Sequence, residues 1–288
     1  MNKGYKIDSE LSESQIEADV ASYLGYITPF WSNRFQLIAI DEQLSGADKL
    51  FNRFVPLYLQ FKVSEGLKPL KFNFHLTSPN RPLQKIRKFR RDNSLSDNPI
   101  LYFKLRDLAK NAKDFQHNIL KSMHDPPKQY GLYVAPLSLT SEDYNESLNS
   151  SLLRRLFLID PFFHKELRYY HNSFRQEFKI LPFLRGHISI SPHEKVQSSN
   201  HYYAYSKLGS DVSWHSGSIM DGDFRLSYKI SQIYEQFYDN LEMGYSSNEY
   251  QNFINEFMGS NDYNVSSFSS YLKENFNIRL LFLGHTYE

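Results

Sequence analysis

Residues 57–63 read Leu-Tyr-Leu-Gln-Phe-Lys-Val, and this short run restricts the possible folds more than any other part of the chain. Side chains alternate between the faces of a strand, so Leu59, Phe61 and Val63 point one way while Gln60 and Lys62 point the other. The apolar side needs a covering layer of helices. The neighbouring sequence provides one: Ile16, Val20, Tyr23 and Leu24 recur at helical spacing over residues 12–25. Ser12 with Gln15, or Ser14 with Glu17, forms a capping box at its start. Phe35 to Asp41 reads as a strand, a turn follows at Ser45-Gly46, and Asp48 to Phe54 reads as a short second strand.

Downstream the hydrophobic period keeps switching. A strand at 71–76, a helix near 82–91, a strand at 99–105, a helix near 114–123 and a strand at 130–136 follow in order. The pattern predicts an α/β (α+β) protein, a mixed sheet flanked by helices. Further helices are expected near 148–157, 228–242, 248–258 and 266–275, with strands near 178–183, 186–190 and 278–283. The polar stretch Ser138 to Ser150 suggests a boundary near 140. Residues 1–140 would form the core, and residues 141–288 an α+β region for specificity, oligomerisation or partner binding.

Composition narrows the chemistry. With no cysteine among 288 residues, a disulfide framework, a thiolate metal site and a cysteine nucleophile are all excluded. The net charge of +1 hides an asymmetry. Residues 217–288 hold 4 basic and 10 acidic side chains, leaving 29 basic against 22 acidic in residues 1–216. The basic body is compatible with a nucleic-acid ligand, and the acidic end with a protein partner or a second copy of the chain. No apolar run approaches the roughly 18 residues of a membrane span, and the first residues carry no apolar leader. A cytoplasmic protein without a membrane partner is expected.

Several motifs are missing: there is no G-x-G pair, no phosphate-binding loop ending in Gly-Lys, no H-E-x-x-H and no G-x-S-x-G. One constellation stands out. Glu17 lies on the first helix, Asp48 follows Gly46 by two residues, and Gln60 and Lys62 share a strand face. If the Asp48 and Gln60 strands are neighbours, a carboxylate, an amide oxygen and an ammonium converge, with Glu17 reaching in from the helix. Asp48 and Gln60 are hard oxygen donors suited to Mg²⁺, or to Mn²⁺. Such a metal activates water and neutralises charge on phosphorus oxygens, and Lys62 would stabilise the transition state.

The order of a helical Glu17, a G-x-D ending in Asp48, and Gln60-Phe61-Lys62 on the following strand resembles the PD-(D/E)XK nuclease superfamily, in its Q-x-K variant. The motif likeness covers residues 12–64, and the order of elements extends it to 136. The resemblance implies a restriction-endonuclease-like sheet, metal-dependent endonuclease hydrolysis of DNA, and Glu17, Asp48, Gln60 and Lys62 as catalytic residues. Asp48, Gln60 and Glu17 would hold the metal. Q-x-K forms occur among bacterial restriction and phage-defence effectors, which implies antiviral defence. Gln60 brings no charge and no proline precedes Asp48, so a non-catalytic binding subunit on the same scaffold stays open, as does an RNA-directed nuclease.

A second candidate is Arg81 to Arg91, which holds six basic residues and no acid. Arg81, Lys85, Arg87, Lys88, Arg90 and Arg91 are expected to meet phosphates from a helix. The bland reading is a solvated helix. His201-Tyr202-Tyr203 with Trp214-His215 reads as a packed aromatic hairpin, Asp221-Gly222-Asp223 as a turn, and His164 and His171 as structural or exposed.

Overall fold

The computed structural model describes residues 4–27, 35–39, 52–71, 81–95, 97–108, 114–156, 182–214 and 217–285. The mixed α/β class holds. In chain order the described elements begin β1 (Lys6–Ile7), α1 (Glu13–Ile27), β2 (Phe35–Ala39), β3 (Arg53–Phe61), β4 (Glu65–Leu67), α2 (Pro82–Asp92) and β5 (Ile100–Lys104). They continue α3 (Gln116–Ser122), β6 (Tyr130–Pro136), α4 (Ser141–Leu156), α5 (Pro182–Arg185), β7 (His187–Ile190), β8 (Tyr202–Tyr205), β9 (Asp211–Trp214) and β10 (Ser218–Asp221). The chain closes with α6 (Leu226–Asp239), a 3₁₀ turn, α7 (Ser247–Met258), α8 (Val265–Phe276) and β11 (Arg279–His285).

Two sheets form. The five-stranded sheet has the order β2-β11-β3-β6-β7, with β3 and β6 parallel and the other pairs antiparallel. The six-stranded sheet, β1-β4-β5-β8-β9-β10, is antiparallel throughout. Strand β3 is buried on both faces, as its alternation anticipates for one of them. Val55, Leu57, Leu59 and Phe61 pack with Ile16, Val20, Tyr23 and Leu24 of α1 and with Ile230 and Phe237 of α6. Phe54 and Tyr58 instead join a larger cluster with Phe103 of β5, Tyr203 of β8, and Tyr250 and Phe268 of α7 and α8. On the outer side of the six-stranded sheet, Ile86 of α2 packs against Leu67, Ile100, Tyr102 and Ala204.

Three expectations change. The strands expected at 48–54 and 57–63 are one strand from Arg53 onward, with residues 48–51 outside the described part. Phe183 lies in a short helix rather than a strand, while residues 72–76 and 178–181 lie outside the described residues. The split at 140 is not a division between sheets. Strand β11 sits between β2 and β3, and β8 pairs with β5, so each sheet draws on both halves. The polar stretch that suggested a boundary is the start of α4: the Thr140 hydroxyl accepts from the Asp143 amide at 3.3 Å, while Tyr144 is buried.

The basic segment is helical as expected, but its charge is used differently. Arg90 is fully buried and forms ion pairs with Asp97 and Asp211, and it also donates to the Ala204 carbonyl at 3.1 Å and the Ser213 hydroxyl at 3.2 Å. It thereby ties α2 to β8 and β9. Removing one partner of a buried ion network leaves the other charges unpaired and costs about 3–5 kcal/mol. Arg90→Ala is expected to lower unfolding free energy by about that amount in urea titrations, whereas exposed Arg81→Ala changes it by less than about 0.5 kcal/mol.

Candidate functional site

The end of β3 carries polar side chains into the buried interior. Gln60 is 0% exposed, and among the described residues neither its amide oxygen nor its amide nitrogen has a hydrogen-bond partner. An unsatisfied buried amide costs about 1–3 kcal/mol, so this side chain is a liability to the fold itself. Its strand neighbour in β6 is Tyr133, which belongs to the cluster between the sheets, on the side away from α1.

Lys62 follows directly. Its backbone amide donates to the Val134 carbonyl at 2.8 Å, prolonging the parallel ladder one step beyond β3. Its side chain is 5% exposed, and the ammonium lies 3.9 Å from a Glu13 carboxylate oxygen in the first turn of α1. Burial lowers the Lys62 ammonium to about 8; Arg106 pushes it the same way, and Glu13 opposes. A lysine of this kind stays largely cationic at neutral pH yet gives up its proton within reach of physiological conditions.

Lys62 opens on a cleft of about 610 Å³, whose walls include Lys6, Asp8, Glu13, Glu65 and Tyr102. Lys6 bridges Glu65 at 2.6 Å and Asp8 at 3.1 Å, and the Tyr102 hydroxyl donates to Glu65 at 2.5 Å. These groups satisfy one another. Among the described residues the acid contact of Lys62 is the longer one to Glu13.

The other expected site residues fall as follows. Asp48 lies outside the described residues. Glu17 is paired with Lys273 of α8 and stands 4.0 Å from Arg279 of β11, two cations that take up its charge. Glu13, one helical turn earlier on the same face, is the acid that meets Lys62. Its signal in the sequence is the spacing of four residues from Glu17. In the basic helix, Arg87 is buried, donating to the Lys68 carbonyl at 2.7 Å and lying over the Tyr5 ring. Lys88 and Arg91 both pair with Asp92, at 2.7 Å and 2.9 Å. The six-residue phosphate surface is therefore corrected. Arg87 and Arg90 are buried and partnered inside the protein, and only Arg81 and Lys85 are exposed without a described acid partner.

The aromatic hairpin is packed: Tyr203 and Trp214 are paired across β8 and β9 with ring centroids 4.4 Å apart. His215, His164 and His171 lie outside the described residues. At Asp221-Gly222-Asp223 the Asp223 carboxylate accepts from the Arg225 amide at 3.1 Å, which is turn chemistry.

The fit to a divalent cation is one-sided. The orphaned Gln60 oxygen is the hard donor that Mg²⁺ takes, yet among the described residues no three acidic or imidazole groups stand close enough together to hold an ion. Gln60 fits as a donor; the anionic share of such a shell is not found among the described residues.

The lowered Lys62 titration has a measurable consequence. The unfolded chain keeps this proton up to its ordinary value of 10.5, whereas the folded protein releases it near 8. Between those values the unfolded state binds more protons, so folding stability gains as pH rises. Wild type should gain stability relative to Lys62→Met between about pH 8 and 10.5, by an amount of the order of 3 kcal/mol, in urea unfolding at stepped pH.

No protein-family model, curated protein or solved structure matches the chain.

Proposed function

We propose that the chain is a metal-dependent nuclease that hydrolyses phosphodiester bonds of DNA, built on a restriction-endonuclease-like core. One observation carries this reading: Gln60 is buried with both amide atoms unsatisfied, two residues before a buried lysine of lowered pKa. A fold does not keep an orphaned amide beside a desolvated ammonium for stability, because both are costly. Together they suit a ligand that brings a cation for the amide oxygen and an anion for the ammonium. A metal-bound phosphodiester is such a ligand.

Gln60 and Asp48 would hold Mg²⁺ or Mn²⁺, which supplies activated water and charge neutralisation when bound. The chain's own residues do the rest. Cationic Lys62 faces the scissile phosphate and stabilises negative charge as it builds on the phosphorus oxygens, in a site whose low dielectric strengthens the interaction. Glu13 orients the Lys62 ammonium and limits the fall in its pKa. Glu17, held by Lys273 and Arg279, fixes α1 against α8 and β11 and so positions Glu13. The resemblance extends this reading to a defence effector acting on invading DNA.

A second reading is a non-catalytic binding subunit on the same scaffold. It is favoured by the neutral Gln60 and by the lack of a three-acid cluster among the described residues. Plasmid cleavage separates the two. With Mg²⁺, wild type is expected to cut plasmid DNA, and Lys62→Ala or Asp48→Ala to reduce the rate by roughly 100-fold or more. Cleavage that survives both substitutions would sink the site assignment, and an inert wild type with DNA affinity would favour the subunit. Gln60→Leu is expected to lose activity while gaining about 1–3 kcal/mol of stability, since it removes the orphaned amide.

A further inference from the structure

A cavity of about 430 Å³ lies apart from β3, among α4, α5, the start of β7 and the turn joining β8 to β9. Its charged lining is three cations, Arg185, Lys207 and Arg225, and one acid, Asp143. Arg225 is rigidly placed. Its Nε donates to the Leu208 carbonyl at 3.1 Å and a terminal nitrogen to the Arg185 carbonyl at 2.9 Å. Gly209, at φ +66°, keeps the turn close: a Cβ there would come within 3.3 Å of the Arg225 side chain. Both acceptors are neutral, so the guanidinium is anchored without being neutralised. Burial and the neighbouring Arg185 push Arg225 below its ordinary value, and Asp223 opposes them. Lys207 stands 4.0 Å from Asp143, and both are exposed. Like charges gathered around a cavity repel, and an anion relieves that repulsion.

One more group lines the cavity. His187 is 1% exposed, and its Nδ1 lies 2.8 Å from the Phe183 carbonyl. A carbonyl only accepts, so Nδ1 carries the proton, and burial keeps the ring neutral, lowering it to about 4. Nε2 is then a bare acceptor, without a partner among the described residues. The cavity thus offers cations for an anion and a buried acceptor for an N–H or O–H donor.

We propose that this cavity binds a phosphorylated small molecule of nucleotide size. Arg185, Arg225 and Lys207 hold the phosphate, and His187 Nε2 accepts a hydrogen bond from the organic part. The volume falls in the range of small-molecule pockets, and the site does not depend on the nuclease reading.

Isothermal titration of the full chain with AMP, ADP, ATP and pyrophosphate, in EDTA and at low salt, tests it. EDTA keeps a metal–nucleotide complex from forming near Lys62. At least one nucleotide is expected to bind more tightly than pyrophosphate and to raise the melting temperature. The double substitution Arg185→Ala with Lys207→Ala, at two exposed side chains, is expected to weaken binding at least tenfold without changing the unliganded melting temperature. Binding that is unchanged in the double variant, or absent for every nucleotide at millimolar concentration, overturns the proposal. A response to oligonucleotide DNA alone would likewise overturn it, by making the cavity part of a polymer track.

Discussion

Strand β3 has hydrogen-bonded neighbours along both edges and packed apolar clusters on both faces. From Phe54 to Phe61 every side chain on this strand is withdrawn from water. An apolar residue gains from this; a polar one is stranded unless something is built to meet it. Tyr58 illustrates the solution available to a polar side chain that belongs to the core. Its hydroxyl shares a hydrogen bond with Tyr250 at 2.9 Å. Gln60, two residues further on and on the same face, has no such partner. The contrast within one strand sets Gln60 and Lys62 apart from ordinary buried polar groups.

The position of β3 depends in turn on the last strand of the chain. Strand β11 pairs with both β2 and β3, so the central sheet closes only when the C-terminal segment is in place. The same closure brings Arg279 and Lys273 to Glu17 on α1. Helix α1 is thereby fixed at the end that also supplies Glu13 to Lys62. A pairing between strands so far apart in sequence carries a high loop-closure cost and is repaid only once both partners are ordered. The geometry around Lys62 is accordingly a property of the whole chain and not of its first 140 residues.

Much of this was legible in the sequence, for identifiable reasons. The alternation at Leu59, Gln60, Phe61 and Lys62 fixed which residues share a face, because period two is a property of the backbone alone. The first helix announced itself by Ile16, Val20 and Leu24 and by Ser12, whose hydroxyl accepts from the Gln15 amide at 3.2 Å. The destination of a charge was not legible. Arg90 looks identical to Arg81 in a basic run, and only the tertiary meeting with Asp97 and Asp211 separates an internal anchor from a solvated cation. Short strands such as β1 and β4 were likewise hidden, since two or three residues carry no period. Glu13 was overlooked because Glu17 fitted a familiar pattern, although both sit on one face of α1.

One short segment, residues 134–141, runs between the two candidate sites. Val134 accepts from the Lys62 amide, Pro136 accepts from the Ser64 hydroxyl, and Leu137 and Ser138 line the cationic cavity. Leu139 then accepts from the Glu10 amide at 2.9 Å, and Glu10 in turn accepts from the Ser141 amide at 2.9 Å, close to the acidic start of α1. Proximity of this kind is not coupling, which requires a wall with two arrangements that a ligand binds unequally. The movable part lies at the cavity end: Arg185 and Lys207 are exposed side chains, whereas Lys62, Ser64 and Val134 are buried and hydrogen-bonded. Any communication between the sites would need such an alternative arrangement of residues 134–141, the segment that reaches both.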